Sequence, residues 1–162
     1  RLNIIASFAT LWAYPEEYNL EIYPPLIGAE RVERFYPVAS VASTGARVAI
    51  GSDWSVEDMN PFLAIEVAIT RQDPITDSGS ILNPNERIDL ALVLEAYTKN
   101  VAYAMKLEDQ IGSIEPGKFA DLVVLDRNLF AIPVQQISQT QVLMTLFNGR
   151  QVFVRDLAKS EP

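Results

Sequence analysis

Short apolar runs alternate with helical spacings of apolar residues along the first two thirds of the chain. The runs at residues 3–8 and 47–51 each predict a short buried strand. Between them, residues 29–44 carry apolar positions at helical spacing, and Pro37 is expected to break or kink this helix because proline lacks a backbone N–H group. An order of strand, helix and strand is typical of an α/β fold.

Two more helices are predicted after the second strand. Asn60 and Pro61 favour a helix start, because asparagine caps helices and proline fits the first turn, and this helix is expected to run to about Arg71. A longer helix is predicted at residues 90–106, capped by Asp89. Its regularly spaced apolar residues are Leu90, Leu94, Tyr97, Val101 and Met105.

Two segments between these elements have the composition of loops. Residues 12–27 are rich in aromatic residues and proline, which predicts a long loop rather than a regular element. Residues 72–87 are polar and contain two prolines and one glycine, which predicts a second loop. Because long loops in compact domains often serve as lids or binding loops, the first segment is a candidate binding loop.

The pattern changes in the last third of the chain, where short apolar runs are separated by turn residues. A buried strand is predicted at 121–125, and two strands are predicted on either side of Asn148 and Gly149, a dipeptide that favours tight hairpins. We therefore predict two parts, an α/β part at residues 1–107 and a small β part at residues 108–162.

Composition narrows the possible partners and the possible chemistry. The chain has 162 residues, 49% of them hydrophobic, which is enough for a packed core. Its net charge of -8 disfavours nucleic acid and anionic membrane as partners, and no apolar stretch is long enough to span a bilayer. The chain has no cysteine and no histidine, so disulfides, thiolate catalysis and histidine ligands are all excluded within it. The cellular compartment stays undetermined.

Four sequence motifs resemble the amidohydrolase superfamily. They are "GSDW" at 51–54, "AITR" at 68–71, "AYTKNVAYAM" at 96–105 and "IGSIEPGKFADLVVLD" at 111–126. The last is the most specific, and the chain is most similar to amidohydrolase family 3, which includes AepA-like proteins and formamide or amide hydrolases. The resemblance covers almost the whole chain but only the C-terminal part of such a protein.

The resemblance implies an architecture. Proteins of this family combine a distorted TIM barrel with a small β-sandwich built from both chain ends. On that template, residues 3–8 and 47–51 resemble the last two barrel strands, helices follow each of them, and residues 108–155 resemble the C-terminal share of the sandwich. Asp53 then follows the last strand, at the carboxyl end, where barrel enzymes place their chemistry.

The resemblance also implies a reaction and a role for Asp53. In this superfamily the aspartate after the last strand binds or lies beside a catalytic divalent metal, here expected to be zinc, and takes the proton of the attacking water. The metal lowers the pKa of that water and polarises the scissile carbonyl. The local sequence alone favours a simpler interpretation, in which Asp53 caps a loop or the following turn.

Three further residues are candidates for substrate binding. Trp54 is expected either to form a wall of the substrate pocket or to pack as an aromatic plug in the barrel mouth. Arg71 is expected to face a polar group of the substrate or to brace the Asp53 loop through a salt bridge. Trp12 lies on the candidate binding loop, where an aromatic residue either contacts substrate or packs. Lys118 is interpreted as part of a solvated turn.

The family's histidine and lysine metal ligands are absent from this chain, so one carboxylate would have to act with ligands supplied elsewhere. The favoured hypothesis is a C-terminal fragment of an amidohydrolase that hydrolyses small amides and is inactive alone. The alternatives are a binding or scaffold module and a pseudoenzyme fragment.

Missing barrel strands would leave open strand edges. The apolar residues expected to be exposed there are Ile4, Ile5, Val48 and Ile50. We therefore expect the chain to self-associate or to pair with the missing N-terminal half.

Overall fold

The computed structural model describes residues 4–76 and 79–156, and the first two strands form a small parallel sheet. Strand β1 (Ala6–Phe8) pairs with strand β2 (Val48–Ile50), and the described residues add no third strand to this sheet. The parallel pairing confirms the predicted strand–helix–strand unit. Residue 3 of the predicted first strand lies outside the described residues.

The last part of the described chain forms a three-stranded antiparallel sheet. Strands β3 (Leu122–Leu125), β4 (Val142–Phe147) and β5 (Arg150–Val154) lie in the order β3-β4-β5. Asn148 and Gly149 connect β4 to β5, and both have the positive φ angles, 49° and 74°, that tight hairpins need. The predicted hairpin is confirmed.

In the described part of the chain, six α-helices and several short 3-10 or π-helices lie between the strands. The α-helices are α1 (Tyr23–Ile27), α2 (Ala29–Val32), α3 (Val38–Ser43), α4 (Pro61–Thr70), α5 (Leu90–Tyr97) and α6 (Lys99–Ala104). Pro37 separates α2 from α3, as predicted. The side chain of Asn60 accepts the backbone N–H of Phe62 at 3.0 Å and caps α4, also as predicted. No helix in the described part of the chain is both long enough and apolar enough to cross a membrane.

The prediction of an irregular loop at residues 12–27 is wrong. A 3-10 helix (Thr10–Trp12), a π-helix (Tyr18–Ile22) and α1 occupy most of the segment. Pro24 and Pro25 lie in the first turn of α1, where a missing N–H group costs nothing. The prolines are therefore compatible with a helix start at this position.

The helix predicted at 90–106 is divided into two. Thr98 has non-helical angles (φ -119°, ψ -85°), and its hydroxyl donates to the carbonyl of Leu94 at 2.7 Å. The buried face also differs from the predicted one. Val93, Ala96 and Asn100 are buried, the predicted Leu90, Leu94, Tyr97 and Val101 are half-buried, and Met105 is exposed.

The main core lies around β2 and three helices. Its buried residues are Val38, Val48, Ile50, Phe62, Ile65, Ala68, Ile88, Val93, Ala96, Leu129 and Ile137. The expectation that Val48 and Ile50 are exposed is therefore wrong, because both are buried in one cluster with apolar side chains of α3, α4 and α5. Ile4 is exposed, as expected, and Ile5 is half-buried.

The C-terminal part shares this core. Leu129 and Ile137 belong to the same cluster as β2, and the 3-10 helix Val134–Gln139 packs against α4. The backbone N–H of Ser138 donates to the carboxylate of Glu66 on α4 at 2.7 Å. The antiparallel sheet is thus attached to the α/β part by a packed and hydrogen-bonded contact.

Candidate active site

The candidate site begins where the two parallel strands end. Phe8 lies opposite Ile50, and the backbone N–H of Gly51 donates to the carbonyl of Phe8 at 3.1 Å. Trp12 follows Phe8 by four residues, and Asp53 follows Ile50 by three. Because parallel strands end at the same edge, these two segments leave the sheet side by side.

Asp53 lies at a sharp turn directly after β2. Its φ angle of 58° is in the left-handed region, which aspartate tolerates better than most residues, and its carbonyl accepts the N–H of Val56 at 2.9 Å. The side chain is exposed, and within residues 4–76 and 79–156 its carboxylate has no hydrogen-bond or ion-pair partner. The carboxylate is therefore available to a ligand.

The structural roles in this loop belong to the neighbours of Asp53. The hydroxyl of Ser52 accepts the N–H of Trp54 at 3.3 Å, and the Asp58 carboxylate accepts the N–H of Asn60 at 2.7 Å. Asn60 in turn caps α4. The interpretation of Asp53 as the residue whose side chain caps the loop is thus not supported.

Trp54 and Trp12 occupy different environments at this edge. Trp54 is 65% exposed, so its indole does not pack as an aromatic plug against the described residues. Trp12 is half-buried, and its carbonyl accepts the side-chain amide of Asn19 at 3.1 Å. Asn19, which is buried, also donates to the carbonyl of Tyr14 at 2.9 Å. It fixes this segment, and no local signal in the sequence predicts that role.

Arg71 is buried and faces neither the solvent nor the Asp53 loop. Its guanidinium donates to three backbone carbonyls, those of Leu82 at 2.9 Å and of Phe35 and Tyr36 at 3.1 Å each. Burial lowers the pKa of Arg71 to about 10, so the side chain stays charged at neutral pH. Both predicted roles, substrate contact and a salt bridge to the Asp53 loop, are wrong because the carbonyls of distant segments are its partners.

Acidic side chains lie around Tyr14 near the same edge. Burial, and then the negative charges of Asp73, Glu16 and Glu57, raise the pKa of Tyr14. Glu57 is half-buried, although the sequence predicts a solvated loop there. The described residues nevertheless contain no group of three or more histidine, cysteine, aspartate or glutamate side chains that could hold a metal ion.

A large cleft lies at the opposite end of the parallel strands from the Asp53 loop. It has a volume of about 850 Å³ and is lined by Arg47 and Val48 at the start of β2, together with Asn100 and Tyr103 of α6. Lys118 also lines it, with a side chain that is only 17% exposed and a bond to the hydroxyl of Ser113 at 2.6 Å. The interpretation of Lys118 as a solvated turn residue is therefore wrong, and the cleft does not include Asp53.

Comparison with known proteins gives a family. The family model described as "Amidohydrolase family" matches residues 1–153. The protein LONG AFTER FAR-RED 3 of Arabidopsis thaliana is 38% identical over 128 residues, which are 78% of this chain and 21% of that protein. An N-substituted formamide deformylase of Arthrobacter pascens is 34% identical over 116 residues, which are 72% of this chain and 21% of that protein.

A solved structure agrees with these matches. An adenosine deaminase from Xanthomonas campestris, crystallised with bound zinc, is 25% identical with a TM-score of 0.57, over 93% of this chain and 37% of that chain. The chain spans only about a fifth of the length of the Arabidopsis and Arthrobacter relatives named above. Because the family model covers nearly the whole chain and a formamide deformylase is among its relatives, the chain belongs to the amidohydrolase family, within the family 3 branch.

Proposed function

We propose that this chain is the C-terminal part of a metal-dependent amidohydrolase that hydrolyses C–N bonds of small non-peptide amides, with Asp53 as the general base. The observation that carries the proposal is the exposed carboxylate of Asp53 directly after β2, which has no partner among the residues that the structure describes. Barrel enzymes place their chemistry at this end of the strands. The name of the formamide deformylase relative supports the choice of bond.

Asp53 would move one proton twice. Its carboxylate accepts a proton from water as the water oxygen bonds to the amide carbon, and then gives that proton to the leaving nitrogen as the C–N bond breaks. The position directly after a strand favours this role, because the backbone there is held by the bond between Gly51 and Phe8.

The metal does not fit the side chains of this chain taken alone. A catalytic zinc usually has three protein ligands, whereas the described residues offer no such group and the sequence has no histidine. Zinc is our choice of metal because the deaminase neighbour contains it. The relatives contain additional polypeptide that this chain does not cover, and we place the other metal ligands there. Asp53 would contribute at most one ligand.

The two tryptophans would border the substrate. Trp54 presents most of its indole to solvent beside Asp53, and Trp12 lies after the neighbouring strand. An apolar substituent on the amide would pack against these rings, since aromatic side chains provide a large apolar surface. Arg71 has no part in this site.

The proposed architecture follows the same comparison. We assign β1 and β2 to the last two strands of a distorted TIM barrel, and β3 to β5 to one share of a small β-sandwich, with the boundary near residue 107. The parallel pairing and the helices after each strand support the first assignment, and the antiparallel order supports the second. The partner of this chain is then the N-terminal portion of the same enzyme.

The test is Asp53→Asn in an enzyme of the relatives' full length, assayed on a panel of simple amides and N-substituted formamides. Asparagine keeps the shape but cannot accept the proton, so kcat should fall by about 10²–10⁴ while the fold persists. Asp58→Asn is the matched control, since it keeps the side-chain oxygen that accepts the Asn60 N–H and should leave kcat unchanged.

Two results would contradict the proposal. One is full turnover by Asp53→Asn on a substrate of the unmodified enzyme. The other is turnover by the isolated 162-residue chain that survives a metal chelator, because this chain should be inactive without the ligands it lacks.

A further inference from the structure

A second, smaller pocket borders α4 and is lined by residues other than those of the candidate active site. It has a volume of about 350 Å³ and lies between α4, the segment at residues 72–76 and the 3-10 helix Val134–Gln139. Its lining is mostly polar and includes the carboxylates of Glu66 and Asp73 but no lysine or arginine. It shares no residue with the Asp53 loop or with Trp12.

Glu66 is a buried carboxylate that is only half satisfied. The residue is 5% exposed, and its Oε2 atom accepts the N–H of Ser138 at 2.7 Å. Its Oε1 atom has no hydrogen-bond partner, and the carboxylate has no ion pair, among the residues that the structure describes. Oε1 is not sealed from solvent, so a positive group that enters the pocket can reach it and donate a charge-assisted hydrogen bond.

Asp73 adds a second negative charge at the same pocket. Its carboxylate accepts the backbone N–H groups of Ile75 at 2.8 Å and Thr76 at 3.2 Å, and the Thr76 hydroxyl at 2.5 Å. These donors are neutral, so the charge remains. The pocket therefore holds two carboxylates and no base in its lining.

We infer that this pocket binds a cationic nitrogen group, an ammonium or a guanidinium. The described residues form no group of three or more acidic, histidine or cysteine side chains that could hold a metal ion, whereas an N–H donor would hydrogen-bond to Glu66 Oε1 directly. The amide groups of Gln72 and Gln139 line the same space and provide further acceptors. The cation is either a free small molecule or a lysine or arginine side chain from the longer polypeptide.

The test is a calorimetric titration of the 162-residue chain with methylguanidinium chloride, with sodium chloride at equal ionic strength as reference. The unmodified chain should bind methylguanidinium and show a rise in Tm that sodium does not produce. Glu66→Gln keeps an oxygen for Ser138 but loses the charge, so binding should weaken at least tenfold. Glu33→Gln, at an exposed position, is the matched control and should bind like the unmodified chain.

A second variant supplies the cation internally. Gln135 and Ser138 are three residues apart in a 3-10 helix and line the same pocket, so Gln135→Lys brings an ammonium to it. This variant should gain Tm without any additive and should no longer respond to methylguanidinium.

The same titration on a polypeptide of the relatives' length identifies the source of the cation. Binding that persists there indicates a free small molecule, and binding that disappears indicates an internal lysine or arginine. No binding of methylguanidinium by the unmodified 162-residue chain, or equal binding by Glu66→Gln, overturns the inference.

Discussion

At the scale of single residues, the effect of a buried polar group on stability depends on whether it has hydrogen-bond partners. Arg71 and the hydroxyl of Tyr97 are opposite cases. Arg71 has three carbonyl acceptors for its guanidinium, and its Cζ atom lies 5.9 Å from the centre of the Tyr36 ring. The hydroxyl of Tyr97 is also buried but has no hydrogen-bond partner in the described part of the chain. The first side chain should stabilise the fold and the second should cost stability.

Arg71→Lys should destabilise the protein although it keeps the charge. An ammonium cannot reproduce the planar arrangement of donors that joins Leu82 to Phe35 and Tyr36, so we expect the free energy of unfolding to fall by about 2–4 kcal/mol. Chemical denaturation measures this change. Arg31→Lys, at an exposed position, is the control and should change stability by less than about 0.5 kcal/mol. Equal stability of the two variants would contradict the view that the three carbonyl contacts of Arg71 stabilise the fold.

Tyr97→Phe should stabilise the protein at neutral pH, because it removes a buried hydroxyl that lacks a partner. The expected gain in the free energy of unfolding is about 1 kcal/mol. Tyr18→Phe, at an exposed position, is the control and should be neutral. A loss of stability in Tyr97→Phe would mean that the hydroxyl has a partner after all.

The same tyrosine predicts a dependence on alkaline pH. Burial raises the pKa of Tyr97 to about 12, whereas an unfolded tyrosine loses its proton near pH 10. The ionisation of Tyr97 therefore does not affect the free energy of unfolding below pH 10. As pH rises from 10 to 12, that free energy falls, because the unfolded state releases the proton before the folded state does. Tyr97→Phe should lessen this loss in pH-dependent denaturation, and Tyr36, whose pKa burial also raises to about 12, should account for part of the remainder.

At the scale of elements, Gly112 fixes how the "IGSIEPGKFADLVVLD" segment meets α6. A Cβ atom at this glycine would lie 2.5 Å from the Cβ of Ala102 and 3.2 Å from the carbonyl oxygen of Thr98, and its φ angle is +90°. Gly117 in the same segment has a similar φ angle of +95° but nothing within 4 Å. A side chain at either glycine would strain the backbone, but only a side chain at Gly112 would also clash with neighbouring atoms.

Gly112→Ala should be much more destabilising than Gly117→Ala. The backbone strain should cost each variant about 1 kcal/mol, and the clash with α6 should add about 1–3 kcal/mol to the first variant only. Thermal and chemical denaturation of the pair measure the difference. Equal losses of stability in the two variants would show that α6 can shift to accommodate the added Cβ without destabilising the fold.

Element boundaries follow from local chemistry only where the deciding contacts are local. Asn60 and the Asn148–Gly149 pair act within a few residues, so the start of α4 and the hairpin are predictable. The division of the long helix at Thr98 depends on a side-chain bond that competes with helix formation, which apolar spacing does not reveal. The partners of Arg71, up to 36 residues away, depend on the tertiary fold.

At the scale of the whole molecule, apolar side chains are exposed on the antiparallel sheet. Val123 on β3, Phe147 at the end of β4, and Val152 and Phe153 on β5 are each at least 44% exposed. β5 is also an edge strand within the described residues. Bare edges and apolar patches promote association, so the sheet is the surface on which another chain segment would pack.

The isolated chain should therefore self-associate at micromolar concentration, as measured by light scattering. Val152→Lys places a charge on the β5 edge and should shift the chain toward monomer, since charged edges resist strand pairing. Val56→Lys, in the exposed loop after Asp53, is the control and should associate like the unmodified chain. A monomeric unmodified chain at these concentrations would contradict the prediction.

The two tryptophans of this chain also make its candidate site spectroscopically visible. Trp12 and Trp54 are the only indoles in the sequence, and both follow the ends of the parallel strands. Because Trp54 is largely exposed and Trp12 is half-buried, their fluorescence should differ in emission maximum and in quenching by iodide. Trp12→Phe would leave a single indole, that of Trp54, next to Asp53. Its emission would report directly when a ligand, or another polypeptide segment, covers that loop.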